Sequence, residues 1–279
     1  YKPHAAAFAV PFRRALDFSC TSLYNKKDGE AFMQMYSEKL RNIINSSKNI
    51  VFFGGAGVST ESKIPDFRST DGLYAQSWRY PPETIISHDF FLQNTEEFYR
   101  FYREKMLFPD ARPNPAHLAL AALERIGKLN AVITQNIDGL HQAAGSSRVF
   151  ELHGSVHRNA CMRCGAKYGL RFVLSTHDVP HCPHCGGVIK PEVVLYGEAL
   201  DDAIVKGALS AIAQADTLII GGTSLAVYPA AGLLTYFRGA TTVVINRTPT
   251  PLDRQADLLI DKPIGEVMGG TFADLIRET

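Results

Sequence analysis

The sequence of 279 residues predicts an α/β fold: a Rossmann-like, doubly wound parallel sheet with a smaller zinc-binding and helical domain formed by insertions. Short apolar runs alternate with helical patterns along most of the chain, which is typical of sheets built from βαβ units. A glycine-rich turn follows the first apolar run, and two Cys-x-x-Cys pairs interrupt the alternation later in the chain. The length suits one large domain or a large and a small one, because single cores stop growing near roughly 250–300 residues.

The large domain begins with a helix and a buried strand. In residues 31–47, apolar side chains recur at three- and four-residue steps, which predicts an amphipathic helix. The apolar run from Ile50 to Phe53 predicts a buried parallel strand, and the glycines after it mark a tight turn. Four further apolar runs predict strands: LNAVIT (129–134), ADTLIIGG (215–222), TTVVIN (241–246) and ADLLI (256–260).

Two segments interrupt this alternation and predict the small domain. Residues 71–120 are rich in aromatics and helical in pattern, and residues 154–190 hold the paired cysteines. The Rossmann-like domain is predicted to take residues 32–70, 121–153 and 191–279. Residues 1–31 are predicted to be an N-terminal extension of unknown role. Its pattern fits an irregular or vector-derived segment better than a targeting segment, although it resembles a transit peptide weakly.

Composition and charge exclude several classes of partner. The net charge of +1 comes from 29 basic and 28 acidic side chains, so no overall charge favours nucleic acid or a membrane surface. No apolar run approaches the roughly 18–20 residues that span a bilayer. Paired cysteines in a chain of this size favour metal binding over a disulfide scaffold, and therefore a reducing compartment. We expect a soluble, cytoplasmic protein that binds neither nucleic acid nor membrane.

The cysteine pairs predict a structural zinc site. Cys161 and Cys164 form one pair, Cys182 and Cys185 form the other, and 17 residues separate the pairs. A dithiol redox centre needs one such pair, whereas four thiolates complete the tetrahedral shell of zinc. His181 and His184 lie nearby in sequence, but the shell is already full without them. Because a closed shell leaves no position for water or substrate, the metal is predicted to be a scaffold.

The glycine turn is a candidate phosphate site. In GGAGVSTES, Gly55 and Gly57 suit a close approach of the backbone to a pyrophosphate, but Thr60 stands where the third glycine of the dinucleotide fingerprint falls. On the turn alone, nucleotide binding and a plain tight turn both remain open. Asn246, at the end of a predicted strand, is the best candidate to hold an adenine ribose. A second candidate phosphate segment follows another strand: Gly222, Thr223 and Ser224.

A group of polar residues follows the strand predicted at 129–134. Gln135, Asn136 and Asp138 come directly after it, and His153 lies shortly beyond. Chemistry in open α/β sheets usually lies at the carboxyl ends of strands, where a carboxylate can position a ribose or a water and a histidine can accept a proton. A strand that merely ends in turn-forming Asn and Asp is the alternative interpretation.

Together these motifs resemble one family. GAGVS, IPDFR with GLY, TQNID, HG, the two cysteine pairs, GTSL and a later IN occur in the order found in sirtuins, the NAD-dependent protein deacylases. The resemblance covers roughly residues 35–275 and is strongest to bacterial sirtuins. The ensemble is specific even though each motif is short.

The resemblance implies an NAD site and names its residues. It implies that His153 is the general base and that Asn136 and Asp138 take part in catalysis. The residues implied around the nicotinamide and its ribose are Ala56, Thr60, Phe67, Arg68, Gln135 and Ile137, with Tyr74 close by. Those implied around the adenosine half are Gly222, Thr223, Ser224, Asn246, Arg247 and Ile264.

It also implies the reaction and the peptide site. The acyl-lysine oxygen attacks C1′ of the nicotinamide ribose as nicotinamide leaves, which gives an alkylimidate. The general base then activates a ribose hydroxyl, which attacks the imidate carbon, and water completes the transfer of the acyl group to ribose. The products are free lysine, nicotinamide and 2′-O-acyl-ADP-ribose. The acetylated peptide is expected to bind as an added strand between two segments. These segments are Val193, Val194, Leu195, Tyr196 and Gly197 on one side, and Ala226, Val227 and Tyr228 on the other.

The chain departs from the family pattern at two places. Lys63 stands where sirtuins usually have glycine, which is expected to stiffen the cofactor loop or change its charge. Sirtuins that prefer acidic acyl groups carry Tyr-x-x-Arg in the helical insertion. Here Tyr102 follows Tyr99 by three positions and Arg103 follows by four, a rotation of about 100° beyond the required position. This spacing predicts a preference for acetyl-lysine over succinyl-lysine.

Three other functions fit parts of the sequence. A Rossmann oxidoreductase with structural zinc would reduce NAD in the presence of an alcohol. A zinc-ribbon module would bind nucleic acid or protein without catalysis, which the balanced charge does not favour. Mono-ADP-ribosyl transfer to protein lies within the family itself and would place labelled NAD on protein.

Overall fold

The computed structural model describes residues 26–67, 72–75 and 78–277. Most of the predicted extension, Cys20 and Arg68 lie outside these ranges. The helices are α1 (Lys26–Ser46), α2 (Pro82–Ile85), α3 (His88–Gln93), α4 (Thr95–Lys105), α5 (Pro115–Arg125), α6 (Leu140–Ala143), α7 (Leu170–Leu174), α8 (Asp202–Gln214), α9 (Ile264–Thr271) and α10 (Ala273–Arg277). The strands are β1 (Ile50–Gly54), β2 (Leu129–Thr134), β3 (Val149–Glu151), β4 (Gly154–Cys161), β5 (Lys167–Gly169), β6 (Ile189–Val193), β7 (Thr217–Gly221), β8 (Thr241–Ile245) and β9 (Leu258–Ile260).

Six parallel strands form the large sheet in the order β3-β2-β1-β7-β8-β9. Counted within this sheet, the order is the 3-2-1-4-5-6 arrangement of doubly wound dinucleotide-binding folds. The predicted Rossmann-like fold is confirmed. The topology reverses between β1 and β7, and ligands of such sheets bind at the carboxyl ends of the strands on either side of that point.

Both faces of this sheet are covered, which explains why its strands are apolar along their whole length. Every residue of β1 is buried, as is every residue of β7. Helices α1, α5 and α9 pack on one face, and α8 with the 3-10 segment Ala230–Tyr236 packs on the other. Parallel strands buried on both faces read as continuous hydrophobic runs rather than as alternating patterns. None of the described helices is both long and apolar enough to cross a bilayer.

The smaller part of the molecule joins the helical insertion to the cysteine segment. Its sheet has three antiparallel strands in the order β5-β4-β6. An aromatic cluster from α2, α3 and α4 continues into Val173 of α7 and Val193 of β6. Helix α5 packs instead with the large sheet, through Ala116, Ala119 and Leu120. The boundary predicted at residue 120 therefore falls inside a helix that belongs with the Rossmann core.

Two buried histidines pack together behind β1. The rings of His117 in α5 and His141 in α6 are 4.7 Å apart, and Phe52 contacts His141 from the sheet. Burial lowers the pKa of His117 to about 4 and holds the pKa of His141 well below its usual range. Both nitrogens of His141 lack a protein hydrogen-bond partner among the described residues. These histidines are therefore buried in the neutral form.

We expect acid to destabilise the fold through this pair. A histidine with a lowered folded pKa stabilises the protein above its unfolded pKa of about 6.5, and that contribution is lost as pH falls toward the folded pKa. The loss for His117 alone is on the order of 3 kcal/mol between pH 6.5 and pH 4. Urea unfolding at pH 7.5 and pH 5 measures it. The His141→Leu variant should lose less stability between these pH values, and an unchanged difference would contradict this account.

Candidate active site

The turns after β1 and β7 pack directly on each other at the topological switch point. The Gly57 amide donates to the Gly222 carbonyl at 2.8 Å, and the Gly55 amide donates to the Gly221 carbonyl at 3.4 Å. A Cβ at Gly57 would lie 2.9 Å from the Gly222 backbone. The glycines are therefore required by the approach of the two turns to each other. The Thr60 hydroxyl, at the third position of the fingerprint, donates to the Gly57 carbonyl at 3.0 Å and closes the turn.

Ser59 connects the glycine turn to the polar end of β2. Its hydroxyl donates to Oδ2 of Asp138 at 2.6 Å and accepts from Nδ2 of Asn136 at 3.0 Å. The side chain of Ser59 is almost fully buried, at 1% exposure. Ser59 was not predicted as a site residue from the sequence, where it is only the last residue of the GAGVS motif. Its central place in the site could be suspected only from a buried polar group in a glycine turn.

Asp138 is held by donors from two sides. Besides the Ser59 hydroxyl, the Leu140 amide at the start of α6 donates to Oδ1 at 2.9 Å. Burial raises the pKa of Asp138, and these two hydrogen bonds oppose the rise because they stabilise the carboxylate. The arrangement fixes the carboxyl group in one orientation at the carboxyl edge of the sheet.

His153 is oriented by one backbone hydrogen bond. Its Nδ1 lies 2.9 Å from the Gln135 carbonyl, and because a carbonyl can only accept, Nδ1 carries the proton. Burial lowers the pKa of His153, while this hydrogen bond opposes the decrease. The imidazole is therefore neutral near pH 7, and Nε2 holds the lone pair that accepts a proton. Such a group can act as a general base.

Gln135 spans the switch point. Its backbone N–H donates to the Gly54 carbonyl at 3.0 Å, and its side-chain Nε2 donates to the Thr223 hydroxyl at 3.0 Å. Thr223 also accepts from the Leu225 amide at 3.2 Å. The end of β2, the end of β1 and the turn after β7 are thus joined by hydrogen bonds. The polar groups that the sequence analysis placed at separate strand ends lie in one network.

The residues predicted for the adenosine half lie at the ends of β7 and β8 and the start of α9. Asn246 is buried, and its Nδ2 donates to the Thr248 carbonyl at 2.7 Å. Ile264 is buried in the core beside Gly221, whereas Ser224 and Arg247 are exposed. Glu61, from the turn after β1, accepts the Gly265 amide at 2.6 Å and so ties that turn to the first residues of α9.

The segment predicted to hold peptide begins beside His153. The Val194 amide donates to the His153 carbonyl at 2.9 Å. Further along, the Tyr196 amide donates to the Ile86 carbonyl at 3.0 Å, and the His88 amide donates to the Tyr196 carbonyl at 2.9 Å. Ala226 and Tyr228 on the opposite segment are exposed, and Tyr228 exposes 76% of its surface.

The remaining residues predicted for the nicotinamide end lie apart from the hydrogen-bonded network. Phe67 and Ile137 pack at the margin of the aromatic cluster of the small domain. The Tyr74 ring contacts Phe67 edge-on at 5.7 Å. Ala56 begins the 3-10 turn after β1 and is half-buried. The prediction for Arg68 lies outside the described residues.

Lys63 adopts a left-handed backbone conformation. Its φ is 65° and its ψ is 22°, at the end of the 3-10 turn Thr60–Ser62. Glycine reaches this conformation without the steric cost that a Cβ imposes, about 1–2 kcal/mol per residue. The Lys63 backbone is therefore locally strained, directly before the Ile-Pro-Asp-Phe segment.

We expect Lys63→Gly to raise the free energy of unfolding by about 0.5–1 kcal/mol. The relieved strain exceeds the backbone entropy that a glycine adds to the unfolded chain. Lys63→Ala is the matched control, because it removes the same charge and keeps the Cβ. Urea unfolding of both variants measures the difference. If alanine and glycine stabilise equally, the effect comes from the charge and not from the backbone.

The four paired cysteines converge on one point. Their sulfur atoms all lie within 4.8 Å of one another, with 3.4 Å between Cys161 and Cys185 and 3.6 Å between Cys164 and Cys182. Sulfur atoms around a tetrahedral zinc lie about 3.8 Å apart, given a Zn–S distance of about 2.3 Å. His181 makes no hydrogen bond to the sulfur atoms of these four cysteines; its Nδ1 lies 3.0 Å from the Gly186 carbonyl. The donor set fits zinc with a closed shell, as predicted.

The turns within the two pairs are alike. The Gly165 amide donates to the Cys161 carbonyl at 2.9 Å, and the Gly186 amide donates to the Cys182 carbonyl at 2.8 Å. Both glycines have positive φ, 72° and 71°. The Tyr168 hydroxyl lies 3.0 Å from the Cys182 sulfur, which is the kind of outer contact that orients a metal ligand.

Fold and site together define a Rossmann-type NAD-binding protein with a separate structural zinc module. A family model described as the Sir2 family matches residues 55–229, and the chain belongs to this family, the sirtuins.

Relatives and solved structures agree with this assignment. An NAD-dependent protein deacetylase of Clostridium acetobutylicum is 57% identical over 233 residues, which cover 82% of this chain and 95% of the relative. A solved structure of Sir2 with a p53 peptide and NAD+ is 40% identical, has a TM-score of 0.75, and the match covers 85% of this chain and 97% of that one. A second solved structure holds Sir2 with an inhibitor, 2′-O-acetyl-ADP-ribose and a deacetylated p53 peptide. It is 38% identical with a TM-score of 0.75, and the match covers 85% of this chain and 98% of that one.

Proposed function

We propose that this protein is an NAD-dependent protein lysine deacetylase. It transfers the acyl group of acyl-lysine to ADP-ribose and releases nicotinamide and free lysine. The observation that carries the proposal is the neutral His153, with its proton fixed on Nδ1, at the carboxyl edge of a Rossmann sheet. The relatives named NAD-dependent protein deacetylase support it.

His153 acts as the general base in this proposal. Its Nε2 accepts the proton of a ribose hydroxyl, and the Gln135 carbonyl steadies the imidazolium that forms. Asp138 and Asn136 position the ribose and a water molecule, and the Ser59 hydroxyl holds both side chains in place. NAD would supply the ribose whose hydroxyl receives the acyl group and the nicotinamide that leaves, and one water molecule is consumed as lysine is released.

The other binding roles follow the same assignment. Gln135, Ile137, Phe67 and Ala56 form the nicotinamide end of the proposed NAD site, with Thr60 beneath the turn. The adenosine half is assigned to Gly222, Thr223, Ser224, Asn246, Arg247 and Ile264. Zinc, held by the four cysteines, takes no part in the reaction. The zinc segment and the helices before α5 form the proposed small domain.

Backbone groups left without partners support peptide binding between two segments. Among the described residues, the Val194 carbonyl and the Gly197 amide have no hydrogen-bond partner, nor do the amide and carbonyl of Ala226. The neighbouring amides of Leu195 and Tyr196 are already bonded within the protein. An acetylated peptide added as a strand pairs with these free groups. We propose Val193 to Gly197 and Ala226 to Tyr228 as the two sides of that site.

One experiment separates this function from the alternatives. Purified protein is incubated with NAD and an acetyl-lysine peptide, and the products are examined by mass spectrometry. We expect nicotinamide release only when the acetylated peptide is present, together with O-acetyl-ADP-ribose. Reduction of NAD with an alcohol would favour an oxidoreductase, and label from NAD on protein would favour ADP-ribosyl transfer. We further propose a cytoplasmic location and no nucleic-acid partner.

Acetyl-lysine is expected to react faster than succinyl-lysine. The Arg103 side chain is engaged elsewhere, donating to the His177 carbonyl at 3.0 Å and to the Thr176 hydroxyl at 2.8 Å. Tyr99 and Tyr102 are fully buried in the aromatic cluster. No cation from this pattern is therefore placed to bind a succinyl carboxylate. Competition between acetylated and succinylated forms of one peptide measures the preference, and faster turnover of the succinylated form would contradict it.

A further inference from the structure

We propose that a hydrogen bond between the hydroxyls of Tyr74 and Tyr196 couples cofactor binding to peptide binding. The two oxygen atoms are 2.9 Å apart. Tyr74 lies close to Phe67, a residue proposed for the nicotinamide end of the NAD site, and Tyr196 belongs to the segment proposed to hold the peptide. The inference rests on the proposed deacetylase function and assigns positioning roles to both tyrosines.

Tyr196 stands on a segment fixed to the helical insertion. Its backbone bonds on both sides to residues 86–88, where Ser87 and Tyr196 form a parallel bridge. The Glu198 carboxylate accepts the Leu195 amide at 2.9 Å and is held in turn by Lys190 at 3.0 Å. The position of the Tyr196 ring is therefore set by the small domain.

Tyr74 is attached to Phe67 on the cofactor side of the pair. Its amide donates to the Phe67 carbonyl at 2.9 Å, and its ring packs edge-on against Phe67. The neighbouring Leu73 is buried in the aromatic cluster, and this packing holds residues 72–75 against the small domain. A change in the position of Phe67 on cofactor binding is transmitted to the Tyr74 ring through these contacts.

The hydroxyl pair is a direct side-chain link between the two segments. Tyr196 exposes 41% of its surface, so this hydrogen bond contributes little to the stability of the fold. Its effect lies in the relative position of the segments. A ligand that orders one segment thereby favours the arrangement that the other ligand binds, and the coupling is reciprocal. One hydrogen bond of this kind corresponds to a coupling factor of about two- to tenfold.

Calorimetry with an unreactive pair of ligands tests the proposal. The affinity for an acetyl-lysine peptide is measured with and without saturating ADP-ribose, in the wild type, Tyr74→Phe, Tyr196→Phe and the double variant. ADP-ribose should tighten peptide binding by about two- to tenfold in the wild type. Each single variant should bring that factor close to one, and the double variant should change it no further. Tyr236→Phe, which removes an exposed hydroxyl elsewhere, is the matched control and should retain the wild-type factor.

Thermal unfolding of each variant should match the wild type, because only an exposed hydroxyl is removed. Wild-type coupling in either single variant would overturn the inference, and so would a wild type in which ADP-ribose leaves the peptide affinity unchanged. Acetyl transfer by the wild type, followed by mass spectrometry, tests the deacetylase function separately. An active enzyme with unchanged coupling therefore rejects the tyrosine link and leaves the proposed function intact.

Discussion

Replacing His153 by alanine is expected to lower kcat/KM for deacetylation by about 10²- to 10⁴-fold, the usual contribution of a positioned general base. The Gln135 carbonyl holds Nδ1, so Nε2 of His153 is the group that takes the proton, and alanine removes it. Mass spectrometry of the products measures the rate. His177→Ala, an exposed histidine of the small domain, is the matched control and should retain wild-type activity.

The pH profile gives an independent test of the same assignment. Burial lowers the pKa of His153, and the base is active only when neutral, so kcat/KM should be constant above that pKa and fall as pH drops below it. The midpoint should lie below about 6.5, the ordinary value for histidine. Thermal unfolding at each pH separates this loss from acid destabilisation. Full activity of His153→Ala, or a fall that begins above neutral pH, would refute the general-base role.

The sequence was sufficient to predict the large sheet because its strands are buried on both faces. Continuous apolar runs at β1, β2, β7, β8 and β9 carry that signal directly, and the observed strands fall within the predicted runs except that β1 extends one residue further, to Gly54. Strand β3 was not predicted. It has only three residues, Val149–Glu151, which is too short to show a period, and its identity as a strand depends on pairing with β2.

The site was predictable in its residue types and less so in its contacts. Polar residues at the ends of strands pointed to Gln135, Asn136, Asp138 and His153. The position of Ser59 between Asn136 and Asp138 depends on packing across 77 and 79 residues of sequence, which no local pattern records. Gly57 was predicted to allow a close approach because it lies in a glycine-rich turn after a strand. The backbone that approaches it is that of Gly222, which sequence spacing could not identify.

Removal of zinc is expected to unfold the cysteine segment and, through it, to abolish deacetylation. Structural zinc binds zinc-finger peptides with about 10–16 kcal/mol, as much as the whole stability of an ordinary domain. Among the described residues, the hydrophobic cluster around the cysteines has three buried members, Cys161, Cys182 and Ile189, so the turns that carry the cysteines depend on the metal, although Val173 of the same segment packs in the aromatic cluster. A chelator, or Cys182→Ser, should release the metal and remove hydrogen-exchange protection from residues 156–190. Protection of β1 and β7 should remain.

Two strands connect the cysteine segment to His153, so the loss of zinc is expected to disturb the active site although the metal is remote from it. Strand β4 begins one residue after His153 and ends at Cys161, and its length is about 23 Å at the usual rise per residue. Strand β6 leads from the cysteine segment into Val194, whose amide bonds to the His153 carbonyl. Unfolding of the segment therefore removes two constraints on His153: strand β4, which follows it directly, and the hydrogen bond from the Val194 amide to its carbonyl. Cys20→Ser is the matched control and should keep one zinc per chain and full activity. A zinc-free protein that retained both its small-domain protection and its deacetylation would show that the metal is not the scaffold.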